Sequence, residues 1–255
     1  VFISDRDIAV AETFTAYADL ARNVAGGELR LQAFFDSMDS ALYQSYGFAA
    51  EYISDVYELR GSYVFDLNFG PLAIDSIVGA SWRSYDNTTR QTFLSGYLVL
   101  DRRDLTVGPT GNDIFDDPFS AEANGIGWDT NLDSRWTDLA FFTVNDIALA
   151  DRLHILASLR LDRFKASSIN TGATIFDPSL GFTRFEDSDF TPSYEFSLRF
   201  DALGWLSFYA TYAENNALET NDGGGVEVDR IAQANFVADS DLVEAGIKIK
   251  RNDLV

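Results

Sequence analysis

The chain has 255 residues, of which 46% are hydrophobic and 14% aromatic, and it contains no cysteine. This composition excludes a disordered chain and a disulfide-stabilised fold, and the length is sufficient for one all-β domain. The formal net charge of −21, from 40 acidic and 19 basic residues, argues against a nucleic-acid partner, because phosphate binding requires a basic surface.

Apolar and polar residues alternate along much of the chain, which is typical of strands with one apolar and one polar face. In chain order, the clearest segments are 28–36, 57–66, 74–83, 153–162, 193–201, 206–213 and 243–250. Segments 10–22, 91–100 and 136–149 are also strand-like, with a less regular alternation. The sequence therefore predicts about ten strands of roughly ten residues, the length of a tilted membrane-spanning strand. No apolar run reaches the roughly 18 residues of a spanning helix.

Short and long connections alternate between these predicted strands. The short turns lie near 23–27, 68–72, 150–152 and 202–204. The long acidic stretches, rich in glycine and asparagine, lie near 37–54, 85–135, 166–190 and 215–240. Long structureless loops are uncommon in compact domains, whereas transmembrane β-barrels pair short turns with long external loops. The pattern favours an all-β fold, an antiparallel transmembrane β-barrel.

The sequence offers little support for catalysis. It contains no G-x-S-x-G, H-E-x-x-H, P-loop or G-x-G-x-x-G motif, and His154 is its single histidine. We therefore expect no enzyme, no metal site and no cofactor. The acidic stretch 112–117 has oxygen ligands suited to calcium but lacks the EF-hand spacing, which favours a solvated loop. The glycines at 223–225 lie in an acidic loop without a predicted helix after them, so we expect no phosphate site there.

Three motifs in the second half of the chain resemble the barrel of TonB-dependent outer-membrane receptors. Residues 158–162 match a G-L-R-Y-D strand motif of that family, with Ser for Gly and Leu for Tyr. Residues 209–212 match Y-A-S-Y, and residues 243–248 match Y-E-A-G-X-K with Val for Tyr. The resemblance is clear over 135–255 and weaker over 1–134.

This resemblance implies a receptor of the bacterial outer membrane, in contact with outer-membrane lipid. In such receptors the barrel surrounds an N-terminal plug domain, and the TonB complex drives uptake of a scarce external ligand such as an iron-siderophore chelate. We expect residues 1–255 to form one partial barrel domain that lacks the plug and the C-terminal strands. A passive porin-like barrel and a soluble extracellular β-sandwich that serves as a binding module remain alternatives.

The polar faces of the predicted strands carry full charges, which a barrel would direct to its lumen. The candidates are Arg30, Glu58, Arg60, Arg83, Arg160, Asp162, Glu195, Arg199, Glu244 and Lys248. They would contact a plug and line the solute path, or form cross-strand ion pairs in a wet lumen. In the longest predicted loop, Trp128 is the candidate for stacking on an external ligand. The aromatic residues expected in interfacial girdles are Trp82, Trp136, Trp205, Tyr209 and Tyr212.

Overall fold

The computed structural model describes residues 8–44, 48–92, 128, 130–150, 152–172 and 183–250. Its strands are β1 (Ile8–Val24), β2 (Gly27–Gln44), β3 (Phe48–Phe69), β4 (Leu72–Thr92), β5 (Thr130–Leu149), β6 (Leu153–Asn170), β7 (Phe185–Leu203), β8 (Leu206–Leu218) and β9 (Val237–Ile249). One short helix, α1 (Val228–Ala232), lies between β8 and β9. Among the described residues, no helix is long and apolar enough to cross a membrane.

All nine strands belong to one sheet, in which each strand pairs with its neighbours along the chain. Every pairing is antiparallel. The predicted antiparallel all-β fold is therefore confirmed. Within the described part of the chain, β1 and β9 have one partner strand each, so the sheet is open at both ends. Most of the predicted strand at 91–100 lies outside the described residues.

The strands are longer than predicted, with 13 to 22 residues. β2 and β3 run through most of the stretch 37–54, so the prediction of a long loop there was wrong. The register stays continuous, with Ser37 opposite Asp55. The sequence signal was the apolar–polar alternation, which is lost here because each face mixes polar and apolar residues, although the backbone hydrogen bonds continue. The other long connections are shortened in the same way, because β4, β5, β6 and β7 extend into them.

The short turns occur where the sequence predicts them, between β1 and β2, β3 and β4, β5 and β6, and β7 and β8. Gly26, in the first of these turns, has a φ of 86°, a conformation that side chains disfavour. A Cβ atom added to Gly26 would have no neighbour within 4 Å. This glycine is therefore required by backbone conformation alone.

The two faces of the sheet differ strongly in polarity. We call the face that carries the loop between β8 and β9 the inner face, and the opposite one the outer face. The outer face exposes large apolar side chains from all nine strands, among them Val10, Phe14, Leu31, Leu59, Val78, Phe141, Leu159, Phe196, Phe208 and Ile247. Apolar surface of this extent is unfavourable in water and suited to lipid. Towards the long loops the outer face becomes charged, with Asp55, Arg135 and Lys165 around one cavity.

Candidate functional site: the inner face of the sheet

The strand register places all ten predicted charged residues on the inner face. Glu58 of β3 lies directly opposite Arg83 of β4. Farther along the sheet, Glu195 of β7 lies opposite Ser158 of β6, which shares the face of Arg160. Since side chains alternate between the two sides of each strand, one such pair determines the face of the others. The charges therefore form one surface that runs across the sheet from β2 to β9.

Ion pairs organise the middle of this surface. Arg83 Nε donates a hydrogen bond of 2.9 Å to Glu58 Oε2. Arg160 joins two carboxylates, with Nη2 2.9 Å from Asp138 Oδ2 and Nε 2.7 Å from Asp162 Oδ1. Asp138 was missed in the sequence, because the alternation in segment 136–149 is irregular.

The Arg160 group is buried on its acidic side. Asp162 is 1% exposed, and its Oδ2 atom has no hydrogen-bond partner. Asp138 Oδ1 is also buried without a partner. Burial of a carboxylate costs free energy unless a counter-charge and hydrogen bonds compensate it. Arg160 is therefore the counter-charge that the two carboxylates share, and it balances one of their two negative charges.

Near the short turns, the inner-face charges form exposed pairs. Arg199 Nη2 lies 3.3 Å from Asp201 Oδ2, and His154 Nε2 lies 3.7 Å from the same oxygen. Tyr209 donates a hydrogen bond of 3.0 Å to Glu244. Exposed pairs of this kind contribute little to stability, so this end of the face is mainly a solvated polar surface. Among the described residues, no group of three His, Asp or Glu side chains could hold a metal ion.

The loop between β8 and β9, residues 219–236, folds onto the inner face near the long-loop ends of the strands. Tyr85 Oη and Asn87 Nδ2 each donate a hydrogen bond of 2.7 Å to the carbonyl of Gly223. Trp136 Nε1 donates a hydrogen bond of 3.0 Å to the carbonyl of Gly224. We call this segment the β8–β9 loop. It follows β8 in the chain, yet its hydrogen-bond partners lie on β4 and β5.

Two serines of the sheet form hydrogen bonds with Val226, two residues farther along the β8–β9 loop. The backbone N–H of Val226 donates a hydrogen bond of 2.9 Å to Ser134 Oγ on β5. The carbonyl of Val226 accepts a hydrogen bond of 2.7 Å from Ser168 Oγ on β6. Within the loop, Asn221 Nδ2 donates to Glu227 Oε1 at 2.8 Å. Burial raises the pKa of Glu227, and the hydrogen bond from Asn221 acts in the opposite direction. Both backbone polar groups of Val226 are thus satisfied by side chains of the sheet.

An apolar cluster seals the contact between the β8–β9 loop and the sheet. Its buried members are Phe164, Ala166, Val226, Ile231 and Phe236. Half-buried apolar residues of β5, β7, β8 and β9 pack around it. The helix α1 directs Ile231 into this cluster. The prediction of a long structureless loop at 215–240 was therefore wrong, because the apolar side chains spaced along this acidic stretch form a small core.

The glycines at 223–225 allow the loop backbone to approach the sheet closely. A Cβ atom on Gly223 would collide with Thr89, and one on Gly224 would collide with the Tyr85 hydroxyl. Gly224 also has a φ of 82°, a conformation that side chains disfavour. A Cβ atom on Gly225 would lie 2.6 Å from Asn87 Oδ1. The three glycines thus serve the packing of the loop against β3, β4 and β5.

The family model for the β-barrel of TonB-dependent receptor-like proteins matches residues 5–238. This chain belongs to the TonB-dependent receptor family. Members of this family are outer-membrane proteins of Gram-negative bacteria. No curated protein matches the chain.

Several solved structures are similar to this TonB-dependent receptor barrel. The unliganded ferric citrate transporter FecA has a TM-score of 0.67 at 14% identity, over 95% of this chain and 33% of that one. The siderophore receptor PiuA from Acinetobacter baumannii has a TM-score of 0.70 at 14% identity, over 98% and 39%. The ferric yersiniabactin uptake receptor FyuA from Yersinia pestis has a TM-score of 0.56 at 13% identity, over 98% and 36%. At these identities the similarity shows the fold, and the chain spans less than two fifths of each protein.

Two of the aromatic residues predicted for interfacial girdles lie on the inner face of the receptor barrel, so those predictions were wrong. Trp136 stacks on Tyr85 with 5.3 Å between ring centroids and binds the β8–β9 loop. Tyr209 lies on the face of Arg199, opposite it in the register. The irregular alternation around residue 136 concealed the face of Trp136. In contrast, Trp82, Trp205 and Tyr212 are exposed.

Trp128 is buried at 6% exposure, and its contact with a ligand stays a prediction.

The substitution Gly224→Ala is expected to loosen the β8–β9 loop. The alanine must keep a left-handed backbone conformation, which costs roughly 1–2 kcal/mol, and its Cβ atom must displace the Tyr85 hydroxyl. A decrease of about 1.4 kcal/mol in the free energy of loop opening raises the population of the opened loop tenfold. Tryptic cleavage after Arg230 follows this population and should be at least about tenfold faster in the full-length protein.

Gly26→Ala is the matched control for this substitution, because Gly26 has a similar φ but no atom within 4 Å of an added Cβ. Its strain is confined to a turn at the other end of the sheet, so cleavage after Arg230 should remain at the unmodified rate. Equal acceleration in the two variants would contradict the packing role of Gly224.

Proposed function

We propose that this chain forms part of the wall of an outer-membrane importer, which takes up a scarce external ligand such as an iron-siderophore chelate with energy from the TonB complex. The observation that carries the proposal is the two-sided sheet within a family match over residues 5–238. Its outer face is apolar on all nine strands, and its inner face carries the charges. The similar structures include a ferric citrate transporter and a siderophore receptor, which supports this class of ligand.

In this proposal the charged inner face lines the lumen and contacts the plug domain through which TonB acts. The Arg30, Arg83 and Arg199 side chains are about half exposed, so they can meet a second polar surface. The guanidinium of Arg60 lies 4.7 Å from the ring centroid of Phe142, which holds this cation against the sheet. Pairs such as Arg83–Glu58 would then place alternating charges along the solute path.

The apolar outer face argues against the soluble alternative. In a β-sandwich a second sheet would cover these apolar side chains. In the described part of this chain they remain exposed, with Phe14 at 62% and Phe141 at 60%. This exposure supports contact of the outer face with lipid, and membership of a receptor family favours transport over catalysis.

The proposal is tested by uptake of ⁵⁵Fe-labelled ferric chelates into cells that carry the full-length protein. The probes are ferric citrate, one hydroxamate siderophore and one catecholate siderophore, each compared with cells that lack the receptor. We expect receptor-dependent accumulation of at least one chelate, and its loss in a strain without TonB. Accumulation that persists without TonB would support a passive barrel. Absence of uptake for all probes would contradict iron chelates as the ligand class, and absence from the outer-membrane fraction would contradict the location.

A further inference from the structure

We infer that the β8–β9 loop is a permanent partition on the inner face of the barrel, and not a lid that opens during each transport cycle. This inference rests on the proposed function, since it concerns the path that a solute takes past the inner face. Its basis is the attachment of residues 219–236 to strands that are distant in the chain.

The first argument is the complementarity of the hydrogen bonds. Within four successive loop residues, the carbonyls of Gly223, Gly224 and Val226 accept hydrogen bonds from side chains of β4, β5 and β6. One of these donors is the half-buried side chain of Trp136, whose indole N–H can donate a hydrogen bond but cannot accept one. Detachment would break all of these hydrogen bonds together and exchange them for bonds to water, and each exchange carries a net cost. A loop built to open would make fewer such contacts with the wall.

The second argument is burial. Ala166 of β6 and Val226 of the loop are both 0% exposed, and Phe236 of the loop is 2% exposed. The loop and β6 therefore bury each other's apolar side chains. Opening would expose this cluster to water. The segments that move in proteins have few buried apolar contacts, which is the opposite of what the β8–β9 loop shows.

The third argument is shape. The added Cβ atoms at 223 and 224 would collide with Thr89 and Tyr85, so the glycines fit one closely packed arrangement of loop and sheet. The loop thereby braces β8 and β9 against β4, β5 and β6. Among the described residues, Tyr17, Gln32, Glu58 and Arg60 line a cavity of about 340 Å³ on the inner face of β1, β2 and β3, and no residue of this loop belongs to its lining. A fixed partition directs solute towards this side.

The test is the reaction of a thiol placed beneath the loop, in a chain that has no cysteine of its own. Ala166→Cys introduces a small apolar thiol at a fully buried inner-face position. Lys165→Cys introduces one at the neighbouring outer-face position, where the native side chain is 53% exposed. Both are made in the full-length protein and treated in intact cells with a membrane-impermeant maleimide. The cells are either energised or treated with an uncoupler.

For a fixed partition, we expect Ala166→Cys to react at least 100-fold more slowly than Lys165→Cys, with the same rate in energised and uncoupled cells. Adding Gly224→Ala to the Ala166→Cys protein should accelerate the reaction, which shows that the reagent reaches this depth when the loop is loosened. A rate within tenfold of Lys165→Cys, or a tenfold acceleration on energisation, would overturn the inference.

A second measurement needs no substitution, in case Ala166→Cys fails to assemble. Tryptic cleavage after Arg230 of the unmodified receptor in intact cells should be equally slow with and without energisation, because the Arg230 backbone is held in the loop. Cleavage that accelerates on energisation would show a lid. The two proposals can fail independently. A reactive thiol together with TonB-dependent uptake would contradict only the fixed partition. A protected thiol without uptake would contradict only the proposed importer function.

Discussion

Leu159→Arg is expected to lower the free energy of unfolding of the full-length receptor in lipid vesicles by roughly 2–4 kcal/mol. Leu159 is on the outer face of β6 and is 40% exposed in the isolated sheet. Its neighbours at alternate positions, Ala157 and Leu161, belong to the same apolar face. Near the middle of a bilayer, arginine places a charge in a medium that solvates it poorly. The effect should appear as a lower urea midpoint and less assembled protein in the outer membrane.

The matched control is Ser158→Arg, one residue earlier on the same strand. Ser158 lies on the inner face opposite Glu195, where a new cation can be solvated or paired. This variant should assemble like the unmodified protein, with a urea midpoint close to the original. Similar losses in both variants would contradict the assignment of the outer face to lipid, because only that assignment distinguishes two adjacent positions.

Arg160→Gln is the second substitution with a large expected effect. Removing one partner of a fully buried ion pair costs roughly 3–5 kcal/mol, because the remaining charge is left without compensation. Here Asp162 is almost fully buried, whereas the Arg160 side chain is 40% exposed, so we expect a loss of about 2–4 kcal/mol. The measurement is again urea unfolding of the full-length receptor in vesicles, together with the assembled fraction in cells.

Two further variants separate charge compensation from simple loss of a side chain. The double variant Arg160→Gln, Asp162→Asn removes a buried charge together with its counter-charge, and should recover part of the lost stability. Arg199→Gln removes a similar cation from a solvated pair with Asp201, and should leave the urea midpoint unchanged. A double variant less stable than Arg160→Gln alone would show that the charge of Asp162 is compensated by a group other than Arg160.

The sequence predicted the strands and their two faces because both depend on local alternation. In a strand, successive side chains point to opposite sides, so Leu159 and Arg160 were assigned to opposite faces without any knowledge of their neighbours. The short turns were equally local, since their residues need a particular backbone conformation. The family resemblance around 158–162, 209–212 and 243–248 also depends on these strand motifs.

The first and last residues of the strands could not be predicted from local alternation. Between β2 and β3 the pairing continues through Ser37 and Asp55 into a stretch where each face mixes polar and apolar residues. Backbone hydrogen bonds do not require an apolar side chain, so a prediction based on polarity ended these strands too early. The irregular phase around Trp136 likewise hid the face of Asp138, the second carboxylate of Arg160.

The sequence by itself thus determined where the regularly alternating segments of this receptor chain lie and which sides of those segments are charged. Only the tertiary structure decided the position of the β8–β9 loop and the pairing of the buried charges. Tyr85 and Gly223 are 138 residues apart in the chain, and Trp136 and Gly224 are 88 apart. Contacts at such separations depend on the complementarity of two distant surfaces, which leaves no periodic signal in either segment.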